Sequence, residues 1–83
     1  MFYVYAIKSH VKERLYVGYT HAPKKRLEYH NAGYVKSTSK DRPWELVAIQ
    51  EIRTENEARW LERQLKKSKG KREKWLLTND ITK

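Results

Sequence analysis

Several side chains that could act together on a phosphodiester are spread along the chain. They are Arg26, His30, Glu62 and the tyrosines Tyr3, Tyr5, Tyr16 and Tyr19. An arginine can bind two phosphate oxygens at once, and a carboxylate is a hard oxygen ligand for a divalent ion such as Mg²⁺. A phenol or an imidazole beside a bound water can orient that water or accept its proton. Each residue alone has an ordinary structural explanation, so these types allow hydrolytic chemistry without requiring it.

The carboxylate of Glu62 belongs to a predicted helix. Thr54 and Glu57 form a capping box at the start of this helix, and apolar residues at helical spacing predict its buried stripe. The stripe consists of Ala58, Leu61 and Leu65. Glu62 borders the stripe and lies too deep in the helix for the helix dipole to explain its charge. A carboxylate beside the core needs a partner, which can be a cation or a metal ion.

The four tyrosines lie in a predicted hairpin at the start of the chain. Residues 1–9 and 15–20 are rich in aromatic and β-branched side chains and flank a polar loop, a pattern typical of two antiparallel strands. The hairpin carries the tyrosines Tyr3, Tyr5, Tyr16 and Tyr19. A buried tyrosine hydroxyl needs a hydrogen-bond partner. The four hydroxyls therefore indicate either a polar patch in the core or a hydrated site that uses them.

A short helix is predicted between residues 21 and 33. Pro23 suits its first turn, and Gly33 can end it in the left-handed conformation. The expected N-cap is Thr20 or His21. Arg26 and His30 are four residues apart, so this helix would place them on one face.

The remaining segments complete the predicted fold. Residues 34–43 form a polar connection that is either a solvated loop or a phosphate contact. Residues 44–52 predict a third strand covered mainly on one side, with Val47 and Ile49 on one face. The other face would carry Trp44, Leu46, Ala48 and Ile52.

A last short helix is expected to begin at Ser68 and to bury three apolar residues, which are Trp75, Leu76 and Leu77. The order β-β-α-β-α-α predicts an α+β fold, a small three-stranded antiparallel sheet flanked by helices, in a single domain over residues 1–83.

The charge of the chain indicates a polyanionic partner. Nineteen Lys and Arg against ten Asp and Glu give a net charge of +9, which favours nucleic acid over other partners. A ribosome-associated or merely soluble basic protein is the alternative. The candidate nucleic-acid contacts are Lys24, Lys25, Lys36, Thr38, Lys66, Lys67, Lys69, Lys71 and Arg72.

The composition also excludes several classes of site. Cysteine is absent, so neither disulfides nor thiolate zinc sites contribute. The longest apolar run, residues 46–49, is far too short to span a membrane, and the first residues are strand-like rather than typical of a signal peptide. We therefore expect a cytoplasmic protein without a membrane partner.

The motifs resemble a known family when they are taken in order. Tyr3-Val4-Tyr5 and Tyr16-Val17-Gly18 resemble the paired motif of the GIY-YIG nuclease superfamily. The downstream matches are Arg26 with Leu27, the run from His30 to Gly33, Arg42-Pro43 ahead of the third strand, and the helix over residues 57–67. The chain is most similar to the small stand-alone bacterial members.

This resemblance implies a one-metal hydrolytic site. Arg26 would bind phosphate, and Glu62 would hold one divalent ion, Mg²⁺ or Mn²⁺. Tyr16 or His30 would help to deprotonate water, while Tyr5 would assist positioning. Tyr3 and Tyr19 would be packing residues. Gly18 would keep the strand free of a side chain next to the substrate.

The chain also departs from the family pattern. The first motif lacks its glycine, Tyr19 stands where many members carry a basic residue, and Asn79 is a candidate for a late asparagine of the site. The resemblance implies a metal-dependent endonuclease that hydrolyses phosphodiester bonds in DNA, in repair or processing of structured DNA. The alternative is a non-catalytic nucleic-acid-binding module that retains the nuclease fold. A protein partner or a homodimer is compatible with either.

Overall fold

A three-stranded antiparallel sheet forms the centre of the molecule. The structure is a computed structural model and describes residues 1–82. Strand β1 (Phe2–Ser9) lies in the middle, between β2 (Leu15–Thr20) and β3 (Trp44–Ile52). The helices are α1 (Pro23–Ala32), α2 (Glu55–Lys67) and α3 (Lys69–Asn79), and a short 3₁₀ helix spans Ser39–Asp41. The predicted α+β class and element order are confirmed.

The central strand sends its side chains alternately to two different environments. Val4 and Ala6 point to one face, where they are fully buried, and Tyr5 and Ile7 point to the other. Helices α2 and α3 cover the first face, which we call the dry face, with the core residues Val17, Ala48, Ala58, Leu65 and Trp75. Helix α1 covers the second face, which we call the polar face, where Trp44 is buried and Tyr16, Leu27, Leu46 and Ile49 are partly buried.

Strand β3 is covered on both faces, so the prediction of one covered face was wrong. Ala48 pairs with Ala6, but the next pair along β1 joins Ile7 to Leu46, so Val47 is an extra residue in β3. An extra residue of this kind is a β-bulge, and it reverses the alternation of side chains on either side of it. Leu46 therefore packs on the polar face while Ala48 packs on the dry face.

The ends of the helices follow the local sequence signals with one exception. Thr54 Oγ1 accepts from the Glu57 amide at the start of α2, and Ser68 Oγ accepts from Lys71 at the start of α3. Gly33 ends α1 with a left-handed φ of 86°. The exception is the start of α1, where the N-cap residue is Ala22, which makes no side-chain cap. Thr20, two residues before Ala22, accepts from the Ala22 amide instead.

The last helix buries less than its sequence predicts. Trp75 is 8% exposed and its indole donates to Gln50 Oε1 at 2.7 Å. Leu76 is partly buried, but Leu77 is 69% exposed. Three consecutive residues of an α-helix span about 200° around its axis, so one packed face does not hold all three.

The connection between α1 and β3 is tied to the rest of the fold. Arg14 Nη1 donates to Asp41 Oδ2 at 2.6 Å and to the carbonyl of Ser37 at 2.8 Å. Asn31 bonds both backbone groups of Trp44, accepting from its amide and donating to its carbonyl. These contacts fix residues 33–43 against the polar face.

Within residues 1–82, no helix is both long enough and apolar enough to cross a membrane.

Candidate active site

The phenol of Tyr5 lies across Gly18 on the polar face. The two residues are paired between β1 and β2, and a Cβ atom on Gly18 would lie 2.6 Å from the Tyr5 hydroxyl oxygen. That distance is below van der Waals contact, so any larger residue at position 18 would displace the phenol. The space that we expected Gly18 to leave for substrate is therefore occupied by Tyr5. The absence of a side chain at Gly18 makes room for the Tyr5 hydroxyl.

A chain of three hydrogen bonds holds the same hydroxyl from the other side. Tyr5 Oη lies 2.8 Å from His30 Nε2, and His30 Nδ1 lies 2.8 Å from Thr38 Oγ1. Thr38 donates its own hydroxyl hydrogen to the carbonyl of Val35. Because a hydroxyl has one hydrogen, Thr38 must accept from His30, so Nδ1 carries the imidazole proton and Nε2 accepts from Tyr5. The oxygen lone pairs of Tyr5 thus stay available to a further donor.

His30 is neutral and sealed from solvent. Its exposed fraction is 0%, and burial, with the positive charge of Arg26 adding to it, lowers its pKa from 6.5 to about 4. A buried imidazole with that pKa neither meets water nor binds a phosphate. Its burial argues against the role in water activation or phosphate contact that we expected, and its hydrogen bond holds the Tyr5 hydroxyl.

Thr38 was also expected in a different role. It was a candidate phosphate contact, but it is fully buried and its hydroxyl is used by His30 and Val35. No phosphate can reach that hydroxyl without breaking the chain of hydrogen bonds. Thr38 therefore belongs to the support of Tyr5 and not to the nucleic-acid surface.

The guanidinium of Arg26 faces the two motif tyrosines. The nearby Tyr5 hydroxyl raises the pKa of Arg26, and Tyr16 adds to this effect, so the guanidinium stays charged. Burial raises the pKa of Tyr5 to about 12 although Arg26 opposes the shift, so Tyr5 stays protonated at neutral pH. Arg26 is half-buried on α1 and presents a cation near two phenols.

Tyr16 joins this group to helix α2. Its ring centroid lies 5.0 Å from that of His30 and 6.5 Å from that of Tyr5. Lys66 Nζ lies 5.2 Å from the Tyr16 ring centroid and 3.7 Å from Glu62 Oε2. The negative charge of Glu62 also contributes to raising the pKa of Tyr5. Helix α2 packs on the dry face, but it lies beside β2, which is an edge strand of the sheet. The Lys66 side chain therefore extends past the edge to Tyr16, and it brings Glu62 into contact with this group.

Strands β1 and β2 and helices α1 and α2 each contribute one residue at a motif position. These residues are Tyr5, Tyr16, Arg26 and Glu62. A family model for the GIY-YIG catalytic domain matches residues 1–75 of the chain. The chain belongs to the GIY-YIG family. A comparison with curated proteins finds no match. The GIY-YIG domain is a nuclease-type fold, and its substrate is a nucleic acid.

The donor set of the GIY-YIG site suits one hard divalent ion. Members of this family generally use such an ion, and Glu62 supplies a carboxylate whose side chain is 18% exposed. Among residues 1–82, no group of three or more His, Cys, Asp or Glu side chains could hold a metal ion. One carboxylate fits an ion that keeps several waters and takes further oxygens from substrate phosphates, as Mg²⁺ does. Lys66 is the present partner of that carboxylate.

The predicted basic contacts are spread over several parts of this GIY-YIG domain. Lys24, Lys25 and Lys36 are exposed on and after α1, whereas Lys66 contacts Glu62 and the Tyr16 ring. Lys69 and Arg72 line a separate cleft together with Lys8 and Arg14. Lys67 is exposed at the end of α2, and Lys71 is tied to Gln64 by a hydrogen bond of 3.2 Å. Lys66 is the one of these residues with a described contact to the motif residues.

Two remaining predictions concern Asn79 and Tyr19. Asn79 Nδ2 donates to the carbonyl of Trp75 at 3.0 Å, a contact within α3 and distant in sequence from the motif residues. Tyr19 packs beside the dry-face core, and its hydroxyl donates to Glu55 at 3.2 Å. Asn79 and Tyr19 therefore have structural partners.

Sequence reasoning missed two functional contacts. It placed Lys66 among the general basic residues, although its spacing of four from Glu62 was a signal for the ion pair. It also missed the bond between Thr38 and His30, for which the sequence offers no periodic signal because the partners lie on a helix and an irregular segment.

Proposed function

We propose that this protein is a metal-dependent endonuclease that hydrolyses phosphodiester bonds in DNA. The observation that carries the proposal is the meeting of one cation, two phenols and one carboxylate near the polar face. Arg26 lies close enough to Tyr5 and Tyr16 for their hydroxyls to raise its pKa, and Lys66 links Tyr16 to Glu62. Every member of this set corresponds to a chemical need of phosphodiester hydrolysis.

Arg26 binds the scissile phosphate in this proposal. Its guanidinium can pair with two phosphate oxygens, and it lies near the hydroxyls of Tyr5 and Tyr16. Preorganised charge of this kind stabilises the negative charge that develops in the transition state. Tyr5, held by His30 on one side and Gly18 beneath, keeps the guanidinium in position.

Tyr16 is the group we assign to the attacking water. Tyr5 is 3% exposed and bound to His30, whereas Tyr16 is half-buried and therefore within reach of solvent. The low pKa of His30 makes it a poor destination for a proton from Tyr5. Orientation of the water thus falls to the Tyr16 hydroxyl, with Lys66 lying over its ring.

Glu62 is the residue that would hold Mg²⁺ or Mn²⁺. When bound, that ion supplies charge stabilisation to the phosphate and the leaving oxygen. Glu62 would exchange its contact with Lys66 for the ion, and the released ammonium can contact the DNA backbone. The net charge of +9 supports this attraction to DNA, and a role in repair or in processing of structured DNA, in the cytoplasm, would use the same surface.

The second candidate function is a nucleic-acid-binding module without catalysis. The contact between Lys66 and Glu62 favours it, because an ion pair satisfies the carboxylate without a metal. Both candidates predict binding to nucleic acid that weakens steeply as salt rises. They differ only in whether phosphodiester bonds are cut.

Cleavage by the wild type and by Glu62→Gln separates the two candidates. The assay uses duplex, single-stranded and branched DNA with Mg²⁺ or Mn²⁺. We expect Glu62→Gln to lower the cleavage rate at least a hundredfold, on the order of losing one charge-stabilising group, while DNA binding persists. Glu73→Gln, an exposed acidic residue on α3, is the matched control and should cut like the wild type. If the wild type binds DNA but cuts no substrate faster than Glu62→Gln, the binding module is correct.

A further inference from the structure

Two exposed tyrosines form a fixed pair at the end of α1. Tyr34 is 77% exposed and Tyr29 is 45% exposed, and their ring centroids lie 5.7 Å apart at an interplanar angle of 71°. The Tyr34 amide donates to the carbonyl of Tyr29 at 3.0 Å, through the left-handed turn at Gly33. The edge-to-face contact leaves most of the Tyr34 ring open to solvent. The pair contributes little to the core, so the core does not account for it.

The pair continues the surface on which Arg26 lies. Tyr29 follows Arg26 by three residues and Lys25 by four, so all three are neighbours on α1. His30, on the inner side of Arg26, faces the polar core, while Tyr29 lies on its outer side. A ligand that holds a phosphate at Arg26 would therefore pass the tyrosine pair within one helical turn.

The surroundings of the pair are positively charged. Lys36 follows Tyr34 by two residues, and a Cβ atom on Gly33 would lie 2.7 Å from Arg42 Nη1, which places that guanidinium beside the turn. Residues 21–43 contain six Lys and Arg, and their two acidic residues are Glu28 and Asp41. Asp41 is neutralised by Arg14 and Lys12, at 2.6 Å and 3.4 Å.

We infer that the Tyr29–Tyr34 pair is a stacking platform for unpaired bases. Aromatic rings in a cationic groove bind single strands because each base stacks on a ring while the cations follow the phosphates. A duplex keeps its bases inside the helix, so it offers the rings nothing to stack on. The preferred substrate is then DNA with a single-stranded segment next to the phosphate at Arg26. The platform stands on its own contacts, whereas its place beside the cleaved bond rests on the proposed function.

Trp60 provides a matched control for this inference. It is 62% exposed on α2, and it precedes Glu62 by two residues, about 200° around the helix axis from the side chain that reaches the site. The other tryptophans, Trp44 and Trp75, are buried. Trp60 is thus an exposed aromatic ring whose exposure lies between those of Tyr29 and Tyr34, but it is on the opposite side of α2 from Glu62.

The test is equilibrium binding in EDTA at fixed salt, so that cleavage does not enter. Fluorescent 12-nucleotide oligothymidylate, an abasic strand of the same length and a 12-base-pair duplex are titrated with the wild type, Tyr34→Ala and Trp60→Ala. Loss of one base–aromatic stack should weaken oligothymidylate binding about tenfold for Tyr34→Ala. Binding of the abasic strand and of the duplex should change less than about twofold, since phosphate contacts dominate there. Trp60→Ala should bind all three as the wild type does.

Three results would overturn the inference. One is an equal loss on all three ligands, which would show a general effect on charge or folding. The second is selective loss in Trp60→Ala instead of Tyr34→Ala. The third is a wild-type dimer that Tyr34→Ala converts to a monomer in sedimentation, because the pair would then bind a second copy of the chain. A wild type that stacks bases as expected but never cuts DNA would leave the platform standing and refute the proposed endonuclease.

Discussion

The two faces of the sheet are built from the same strand but depend on different forces. On the dry face, Val4 and Ala6 pack against aliphatic side chains of α2, and stability comes from apolar burial. On the polar face, Tyr5 is equally buried, yet its hydroxyl needs His30, and His30 needs Thr38. Each group there is stable only because the next one satisfies it.

This difference separates stability from chemistry within a chain of 83 residues. The stability of the dry face depends on the shape and volume of its side chains. Substitutions there should therefore change the free energy of unfolding and leave the site unchanged. The polar face depends on every buried polar group having its hydrogen-bond partner. Substitutions there should therefore alter the site even when the side-chain volume is conserved. Four measurements can break or sharpen this contrast.

The largest effect is expected on the dry face. Leu65 is 2% exposed, and Leu65→Ala should lower the free energy of unfolding by about 3 kcal/mol, the range for truncating a buried leucine. Urea denaturation measures this. Nuclease activity per folded molecule should be unchanged. Leu77→Ala, at a leucine 69% exposed, is the control and should cost less than about 0.5 kcal/mol. A loss of specific activity in Leu65→Ala would show that the faces are coupled.

The second effect concerns the Tyr5 hydroxyl. Tyr5→Phe keeps the ring over Gly18 but removes the oxygen between His30 and Arg26, so we expect cleavage to fall about a hundredfold, equivalent to about 2.7 kcal/mol. Tyr3→Phe on the same strand removes a hydroxyl that bonds exposed Glu51 at 3.4 Å. That control should cut normally, and equal losses in both variants would contradict the special role of Tyr5.

The third effect is a pH dependence of stability on the polar face. The pKa of His30 is about 4 in the folded protein and about 6.5 in an unfolded chain, so the unfolded state binds the proton first as pH falls. Stability should therefore decrease between pH 6.5 and pH 4, by about 2 kcal/mol from pH 7 to pH 5. The lowered pKa of Asp41, caused by Arg14, acts below this window.

Denaturation at several pH values measures this slope. His30→Gln removes the titrating group but keeps a donor and an acceptor, so its slope should be flatter than that of the wild type. An unchanged slope in His30→Gln would assign the effect to other groups.

The smallest effect tests hydrogen-bond completeness at constant volume. Thr38→Val leaves His30 Nδ1 without its acceptor and should cost about 1–2 kcal/mol in unfolding free energy, although valine is the more apolar residue. Thr78→Val on exposed α3 is the matched control and should change stability by less than about 0.5 kcal/mol. If both variants are neutral, the buried chain of hydrogen bonds contributes nothing to stability.

Local rules predicted the elements because caps and periodicity act over a few residues. Thr54, Ser68 and Gly33 end or begin helices as their chemistry indicates. The need of Glu62 for a partner was also predicted, and its cation is Lys66. The resemblance supplied the motif positions, and the fold brings them to one face.

The rest depends on contacts that no local pattern encodes. The extra residue in β3 comes from pairing with β1, so the alternation of Leu46 and Ala48 was misassigned from the sequence. Thr38 looked like a surface hydroxyl because its neighbours are polar, but it is fully buried and bonds to His30 of α1. The burial of His30 and its hydrogen bond to Tyr5 also join distant parts of the chain, so no local pattern predicts them.

The close approach of Tyr5 to Gly18 has a consequence for how the sequence can change over generations. The two positions share one volume, so a side chain gained at 18 requires one lost at 5. A Gly18→Ala substitution should be tolerated in folding when position 5 lacks an aromatic ring, and harmful when Tyr5 is kept. Among relatives of this chain, the two positions should therefore vary together, and libraries that randomise both should recover these compensated pairs.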